Sequence, residues 1–574
     1  MTVATVVPDV TGLDKQFDYL VPPDLSARVG VGTIVRVELH GRRIGAWVAA
    51  ISEAPSADRP PESLKPIAKV TGHGPAPELF ELADWASIRW AARRIRPFLV
   101  TASPVRAVVG LPPDRRTGMQ PAPSSPATRD LLAAGGGVLR LPPRADVMPA
   151  VLAAVGRGPT LVIAPEHDRV ALLATRLRRA GLSVAVVPDD WAAAAGGVDV
   201  VIGTRTAAWA PCPGLAAAVV VDEHDEALQE ERTPTWHARD VVVERCRRSG
   251  APYVLVSPVP TLTSVVEYAG TSGVVHPPQA RERAGWPAVT VVGRTDDDPW
   301  KRSLLTSELI ERLRDQQLTV VCVSNITGRA RVLACRSCRA LIRCERCDAA
   351  VGLDDDGRLA CRRCGAARPA VCQECGASRF ANLRPGVTRL REELEAAAAR
   401  PVVSVTGSDP DPPRPAGIYV GTEAVLHRVG SADVVAFLEF DSEMLAPRFR
   451  ASEQALALIV RAGRIAPEVL VQTFSPTHEV VQAAASGDPS RILDGERVRR
   501  ELLGLPPFGA LAVVSGGGAD EVVAQLPGEI QVGGDGADRF LVRATDWTTL
   551  GRALNAAERP SGSRVRTEVD PARI

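Results

Sequence analysis

Eight of the chain's eleven cysteines fall between positions 335 and 375 as four CxxC pairs: Cys335 with Cys338, Cys344 with Cys347, Cys361 with Cys364, and Cys372 with Cys375. A CxxC turn aims two thiolates at one point, and two such turns complete the tetrahedral set that structural zinc prefers, so eight thiols suit two zinc ions. Four disulfides would need an oxidising compartment, and the sequence offers neither an export signal nor a small secreted format. Redox-active pairs do not cluster in fours at this density. Spacing alone leaves three ways of joining four pairs into two sites. Cys212, Cys246 and Cys322 stand alone in apolar surroundings and read as packed thiols. Between 329 and 380, eleven Arg face six Asp and Glu, an excess that suits a solvated or a phosphate-facing surface equally.

The 574 residues as a whole, 45% apolar and 24% charged, support several globular domains. A formal charge of +1 sets up no global basic field, so any nucleic-acid contact must come from local patches. Nearly all basic residues are Arg; the lysines are Lys15, Lys65, Lys69 and Lys301. Neither Met1 to Asp9 nor any later apolar run has the length and composition of a signal or a membrane span, so the expectation is a cytoplasmic protein with no membrane partner.

Residues 1–75 alternate short apolar runs with turn residues, as in Val31 to Val37 and Ile44 to Val48, and read as a small β domain. A helical segment rich in Trp and Arg follows from Pro77 to Leu99, and residues 112–130, rich in Pro, Ser and Arg, read as a linker. From 131 to 295, β runs such as Thr160 to Ala164, Val198 to Ile202, Ala216 to Val221 and Tyr253 to Val256 alternate with helical patterns such as Arg169 to Ala180, which predicts a parallel sheet covered on both faces. A second such unit spans 296–500. It opens with a helix over Ser303 to Gln317 and a strand over Leu318 to Val323, is interrupted by the cysteine module at 330–380, and resumes through Pro401 to Val405, Gly417 to Val420, Val434 to Glu439 and Val469 to Thr473. Residues 501–574 read as a small α+β domain.

Several local motifs carry a family resemblance. Leu13, Asp14, Lys15, Gln16, Phe17, Asp18, Tyr19, Leu20, Val21 and Pro22 resemble the FDYLVP segment of the replication restart helicases of the PriA family. Further matches are Gly203, Thr204, Arg205; His237, Ala238, Arg239, Asp240; Pro447 with Phe449, Arg450, Ala451, Ser452, Glu453; and Pro506, Pro507, Phe508. The resemblance covers essentially the whole chain and is to an actinobacterial type of variant with degenerate helicase motifs. It implies a multidomain α/β fold: an N-terminal β domain binding the 3′ end of a DNA strand, a winged-helix-like segment at 76–111, two RecA-like parallel-sheet lobes with a zinc-binding insertion in the second, and a C-terminal α+β domain. It further implies Phe17, Asp18, Tyr19, Gly41 and Lys65 as DNA contacts. An aromatic face can stack on a base and a carboxylate can accept from a terminal hydroxyl, although Phe17 and Tyr19 also read as ordinary residues of one strand face. Carried over, the family's pairing joins Cys335, Cys338, Cys372 and Cys375 on one zinc and Cys344, Cys347, Cys361 and Cys364 on the other.

The motor motifs depart from the family. An ATP-driven motor needs a glycine-rich loop after its first strand, then a Lys and a Ser or Thr. Here Val138 to Leu141 runs into Pro142, Pro143, Arg144, Ala145 and Asp146, and no lysine occurs between Lys69 and Lys301. Two prolines remove two amide donors from any phosphate nest. The acidic motif is shortened to Asp222, Glu223, His224, a degenerate Walker B; SATPS becomes Ser257, Pro258, Val259, Pro260, Thr261; NRRG becomes Asn325, Ile326, Thr327, Gly328; and Arg461, Ala462, Gly463, Arg464 stand without the preceding Gln and Gly segment. The expectation is a non-motor protein that binds forks, 3′ ends and single strands, works with single-strand-binding protein and primosome components near the nucleoid, holds two zinc ions and uses neither ATP nor magnesium. The competing readings are an active 3′ to 5′ helicase and a zinc-stabilised interaction scaffold.

Overall fold

The computed structural model describes residues 2–13, 15–53, 64–119, 125–294, 304–324, 333–338, 340–354, 356–382, 387–405, 417–534, 538–560 and 562–573. Asp14, Lys301, Ser303 and the Asn325 to Gly328 segment lie outside them. Among the described residues, no helix is long and apolar enough to cross a membrane.

The first domain is a five-stranded antiparallel sheet in which Val3–Pro8 lies between Phe17–Leu20 and Arg42–Ser52, and Ile34–Leu39 lies between Arg42–Ser52 and Lys69–Gly72. The sheet curls until its edges meet. Leu20 donates its N–H to the Lys65 carbonyl at 3.0 Å and accepts from the Ile67 N–H at 2.9 Å, which closes the sheet into a small barrel and brings Lys65 beside the FDYL strand.

Segment 76–111 contains two helices, Glu78–Arg89 and Arg96–Ala102, separated where Ala91 takes a φ of 48°. The single helix expected from Pro77 to Leu99 is therefore broken, and among the described residues 76–111 hold no wing strand. The first helix packs on the C-terminal helix Trp547–Ala556 so closely that a Cβ on Gly551 would sit 1.7 Å from the Ile88 carbonyl oxygen. Only glycine permits that approach.

The linker expectation needs correcting. Residues 112–119 are pinned to the first lobe: Thr117 donates through both N–H and Oγ1 to the Asp199 carboxylate, and the Arg115 N–H reaches the Gly197 carbonyl. From Ser125, whose side chain caps the N-terminus, a helix Pro126–Ala133 already belongs to that lobe.

The first lobe is a seven-stranded, wholly parallel sheet in the spatial order Val274–Val275, Gly136–Arg140, Tyr253–Ser257, Ala217–Val221, Thr160–Ile163, Val200–Gly203, Val184–Val187. Alternate residues feed two cores. Leu161, Ile163, Ala218 and Val220 face one, and Val162, Ala164, Val219 and Val221 the other, all essentially solvent-free. Burial on both faces is what a βαβ sheet requires. The first of these cores also takes in the two helices of 78–102 and the inner face of the C-terminal sheet, so these parts do not fold around separate centres.

The second lobe has six parallel strands in the order Ala288–Gly293, Glu468–Thr473, Val434–Phe437, Val320–Val323, Ile418–Gly421, Val402–Val405. Ala288–Gly293 pairs with Glu468–Thr473, so the boundary between lobes falls before 288 rather than at 295. The cysteine module is inserted after Val320–Val323 and shares a core with Phe449, Leu503, Leu505 and Leu511. The C-terminal domain is a four-stranded antiparallel sheet, Gln531–Gly534, Arg539–Ala544, Ala510–Ser515, Arg566–Val569, with helices Ala519–Val523 and Trp547–Ala556.

Candidate functional site

The four CxxC turns share one local geometry. The first cysteine of each donates its N–H to the carbonyl five residues on, at Ala340, Ala349, Ala366 and Ala377, over 2.8 to 2.9 Å. After the second cysteine the backbone turns left-handed: Asp348 has φ 59°, Gly365 φ 73° and Gly376 φ 74°, and each donates back to the first cysteine's carbonyl. Glycine and aspartate tolerate that conformation, which is why they follow the pair. The spacing CxxC, any residue, Ala therefore repeats four times, a signal already present in the sequence beside the cysteines themselves.

These turns gather the thiols into two sets, Cys335, Cys338, Cys372, Cys375 and Cys344, Cys347, Cys361, Cys364, with the sulfurs of each set within 4.8 Å of one another. The closest cross-pair separations, such as Cys335 to Cys375 and Cys344 to Cys364, are 3.5 Å. A zinc–sulfur bond of about 2.3 Å in a tetrahedron implies a sulfur–sulfur edge of about 3.8 Å, so both sets fit one zinc ion each. Outer pairs join outer pairs and inner pairs nest, as the resemblance implies. Cys212, Cys246 and Cys322 lie in the cores, where burial pushes their thiols up to about 11, 12 and 12 and leaves them unreactive.

At the barrel, the structure connects most of the expected DNA contacts. Tyr19 donates its hydroxyl to the Glu38 carbonyl at 2.9 Å, Lys65 pairs with the Glu38 carboxylate at 2.6 Å, and the turn carrying Gly41, φ 76°, follows Glu38 by three residues. Asp18 accepts from the Thr5 hydroxyl at 2.7 Å. Tyr19 needs correcting as a stacking surface. It is 4% exposed, and its ring packs in the barrel core with Phe17 leaning on the same cluster. The reason is strand alternation: Phe17 and Tyr19 share a face, and curling the sheet turns that face inward. Beside them a groove of about 720 Å³ is lined by Arg28, Arg43, Lys65 and Lys69 against Asp24 and Glu38.

The place of the phosphate loop is filled by the protein itself. In the turn after Gly136–Arg140, Pro142 and Pro143 have no N–H, the Arg144 amide bonds the Gly285 carbonyl at 3.3 Å, and the Ala145 amide bonds the Pro142 carbonyl at 2.9 Å. At the start of the helix Met148–Val155, the Asp146 carboxylate accepts from the Met148 amide at 3.0 Å and is itself clamped by Arg176 at 2.6 and 2.7 Å. A helix N-terminus attracts an anion, and here a side-chain carboxylate already supplies it. The Arg144, Ala145 and Met148 amides are thus all engaged within the protein.

The two acids of the degenerate Walker B are engaged as well. Glu223 is fully buried and accepts from the Thr261 amide at 2.8 Å, the Ser264 hydroxyl at 2.6 Å and Arg239 at 3.2 Å. Asp222 is 2% exposed and pairs with Arg464 of the other lobe at 2.5 Å. Burial works to raise its carboxyl, but Arg464, His224 and Arg169 outweigh burial and hold it below the ordinary carboxylate range. Arg461, one helical turn earlier, pairs with Asp225 and Glu166, both at 2.6 Å.

The motif matches without an assigned role turn out to join domains. Arg89 of the N-terminal helix meets Asp240 at 3.3 Å and Asp570 at 3.6 Å and stacks on Trp547 at 3.7 Å; Arg450 meets Asp570 at 2.7 Å; and Glu453 accepts from the Leu262 amide at 2.6 Å and pairs with Arg500 at 2.7 Å. Apart from the Glu453–Arg500 pair, these ties run between residues 120 or more positions apart, and nothing in the sequence pattern marks them.

Residues 3–99 match the family model described as the 3'DNA-binding domain (3'BD). The chain is 27% identical over 369 residues to the replication restart protein PriA of Bacillus subtilis, covering 58% of this chain and 45% of that one, and 26% identical over 419 residues to the PriA of Synechocystis, covering 64% and 50%. It thus spans about half the length of those relatives. Against the probable PriA of Mycobacterium tuberculosis strain H37Rv it is 27% identical over 594 residues, covering 88% of this chain and 85% of the relative. Among solved structures, S. cerevisiae Dbp5 bound to RNA and ADP BeF3 aligns over 75% of this chain and 98% of its own at 9% identity, with a TM-score of 0.35; the two-lobe architecture rests on strand order, not on that superposition. With the DNA-domain match at the first strand and the mycobacterial alignment running through both lobes, the chain is similar to replication restart proteins of the PriA family over most of its length.

Proposed function

We propose that this chain is a DNA-binding protein of replication restart that works without ATP: it binds forked or 3′-ended DNA through its N-terminal barrel, holds two structural zinc ions, and helps assemble the primosome with single-strand-binding protein and other primosome components in the cytoplasm at the nucleoid. The observation that carries this reading is the occupied phosphate position, where Pro142, Pro143 and Asp146 stand and Asp222 is paired with Arg464. Magnesium-assisted phosphoryl transfer needs both Walker acids and a phosphate nest, and none of the three is free for that work.

The DNA reading is supported by the barrel that the family model matches and by the proximity of Lys65, the Gly41 turn and Tyr19 around Glu38. Asp18, Lys65, Gly41 and Phe17 are assigned as the contacts, with Tyr19 fixing the strand that carries them. The zinc module contributes rigidity, since it is seated on Phe449 and Leu503 rather than hanging from the lobe.

The test is a titration of forked DNA ending in a 3′ hydroxyl or a 3′ phosphate against the native chain, Lys65→Ala and Asp18→Ala. The reading expects tighter binding of the hydroxyl end, and a loss of about tenfold for each variant, the size of ~1.4 kcal/mol. Equal affinity of all three chains would favour the scaffold reading.

A further inference from the structure

In a two-lobed motor, nucleotide phosphates draw cations of both lobes together, so the lobes close only while the site is filled. In this chain the negative charges belong to the first lobe. Asp222 takes Arg464, and Asp225 and Glu166 take Arg461, while Arg144 donates back to the Gly463 carbonyl at 2.8 Å and Arg464 to the Pro143 carbonyl at 3.3 Å. The mouth of the same cleft is crossed by the segment 570–573. Arg573 bridges Glu226 of the first lobe at 2.9 Å and Glu423 of the second at 3.3 Å, and the Ala572 carbonyl accepts from Gln454 at 2.9 Å.

We propose that the interlobe cleft is a permanent ionic lock, in which carboxylates of the first lobe replace nucleotide phosphates as the partners of Arg461 and Arg464 and the segment 570–573 straps the mouth shut. The two lobes then act as one rigid body, closed at every nucleotide concentration. A ligand shifts a conformational equilibrium only through differential affinity for its two states, and ATP finds no phosphate site here with which to open or close the pair. The consequence is a fixed relative geometry of all surfaces the lobes carry, a clamp rather than a stepping motor. This rests on the ATP-independent half of the reading above and goes beyond it, and it does not depend on DNA binding.

The experiment uses the full chain with azide-bearing amino acids at the exposed positions Arg179 of the first lobe and Gln316 of the second, labelled with a donor and an acceptor so that the zinc cysteines stay untouched. Single-molecule energy transfer should give one narrow population, the same with and without millimolar Mg-ATP. The Arg461→Gln, Arg464→Gln double variant should give a broadened population shifted to lower transfer. A second variant, Arg573→Gln, removes only the half-exposed strap contact and leaves the cores intact; it should broaden the population to a smaller degree. A native chain that is broad or moves with ATP overturns the proposal, as does either folded variant that keeps the native distribution.

Discussion

Arg464 lies 242 positions beyond Asp222, yet its guanidinium rests 2.5 Å from that carboxylate across the cleft between the lobes. Both shift as a pair: Asp222 is held below its ordinary range, and Arg464, despite its burial, is raised by Asp222. Replacing Asp222 with Asn leaves Arg464 facing a neutral group. Removing one partner of a buried pair costs ~3–5 kcal/mol, and the partial exposure of Arg464 reduces this to about 2 kcal/mol. A lowered thermal midpoint should follow, with Arg464→Gln giving a similar drop and the double change less than the sum of the two.

Acid should weaken the fold in two stages. His478, which caps the helix Glu479–Ser486, is pushed by burial and by Arg343 from 6.5 to about 4. The unfolded chain therefore takes up a proton that the native one refuses, and this contribution is lost as pH falls from 6.5 to about 4. Glu496 is wholly buried; burial acts to raise it, but Arg500, Arg363 and Arg499 bring it down to about 2 from 4.5, so its contribution holds above 4.5 and is lost toward 2. Urea midpoints across this range should decline in that order, and Glu496→Gln should flatten the lower stage.

The two thiol sets should be separable. Metal analysis of the native chain should return two zinc ions, and either Cys361→Ser or Cys375→Ser should return one. Cys361 is 3% exposed and its set packs against Phe449, Leu503 and Leu511, whereas Cys375 is exposed. The Cys361 change should therefore lower the thermal midpoint more.

Tyr19→Phe separates the architectural from the contacting residues of the barrel. It removes the hydroxyl bond to the Glu38 carbonyl and should cost about 1 kcal/mol of stability while leaving DNA affinity unchanged. Lys65→Ala should do the reverse, because its ion pair with Glu38 is half-exposed and adds little to stability.

The lobes and the metal module were legible because each is written in local pattern. Runs such as Leu161, Val162, Ile163 are apolar at every position because both sheet faces are covered, and the CxxC spacing is itself a chelate geometry. The lock and the domain ties were not. In a chain whose basic residues are Arg at all but four positions, nothing local distinguishes Arg464 or Arg89 from their neighbours; partners such as Asp222 and Asp570 are chosen only when the sheets assemble. The burial of Tyr19 was not legible for a related reason. Alternation places it with Phe17, but which face becomes core depends on Lys65 and Ile67 closing the barrel. Even the lobe boundary follows from a pairing, that of Ala288–Gly293 with Glu468–Thr473, between strands far apart in sequence.

DNA binding uncoupled from ATP is tested in both halves by one titration: purified protein with a forked DNA carrying a free 3′ end, with and without Mg-ATP, while hydrolysis is followed in the same tubes. Tight binding that is indifferent to ATP, with no phosphate released above the background without protein, is the predicted result. Hydrolysis stimulated by DNA would contradict it, because the turn from Pro142 to Asp146 would then have to release its internal bonds and Asp222 its arginine to make room for the nucleotide.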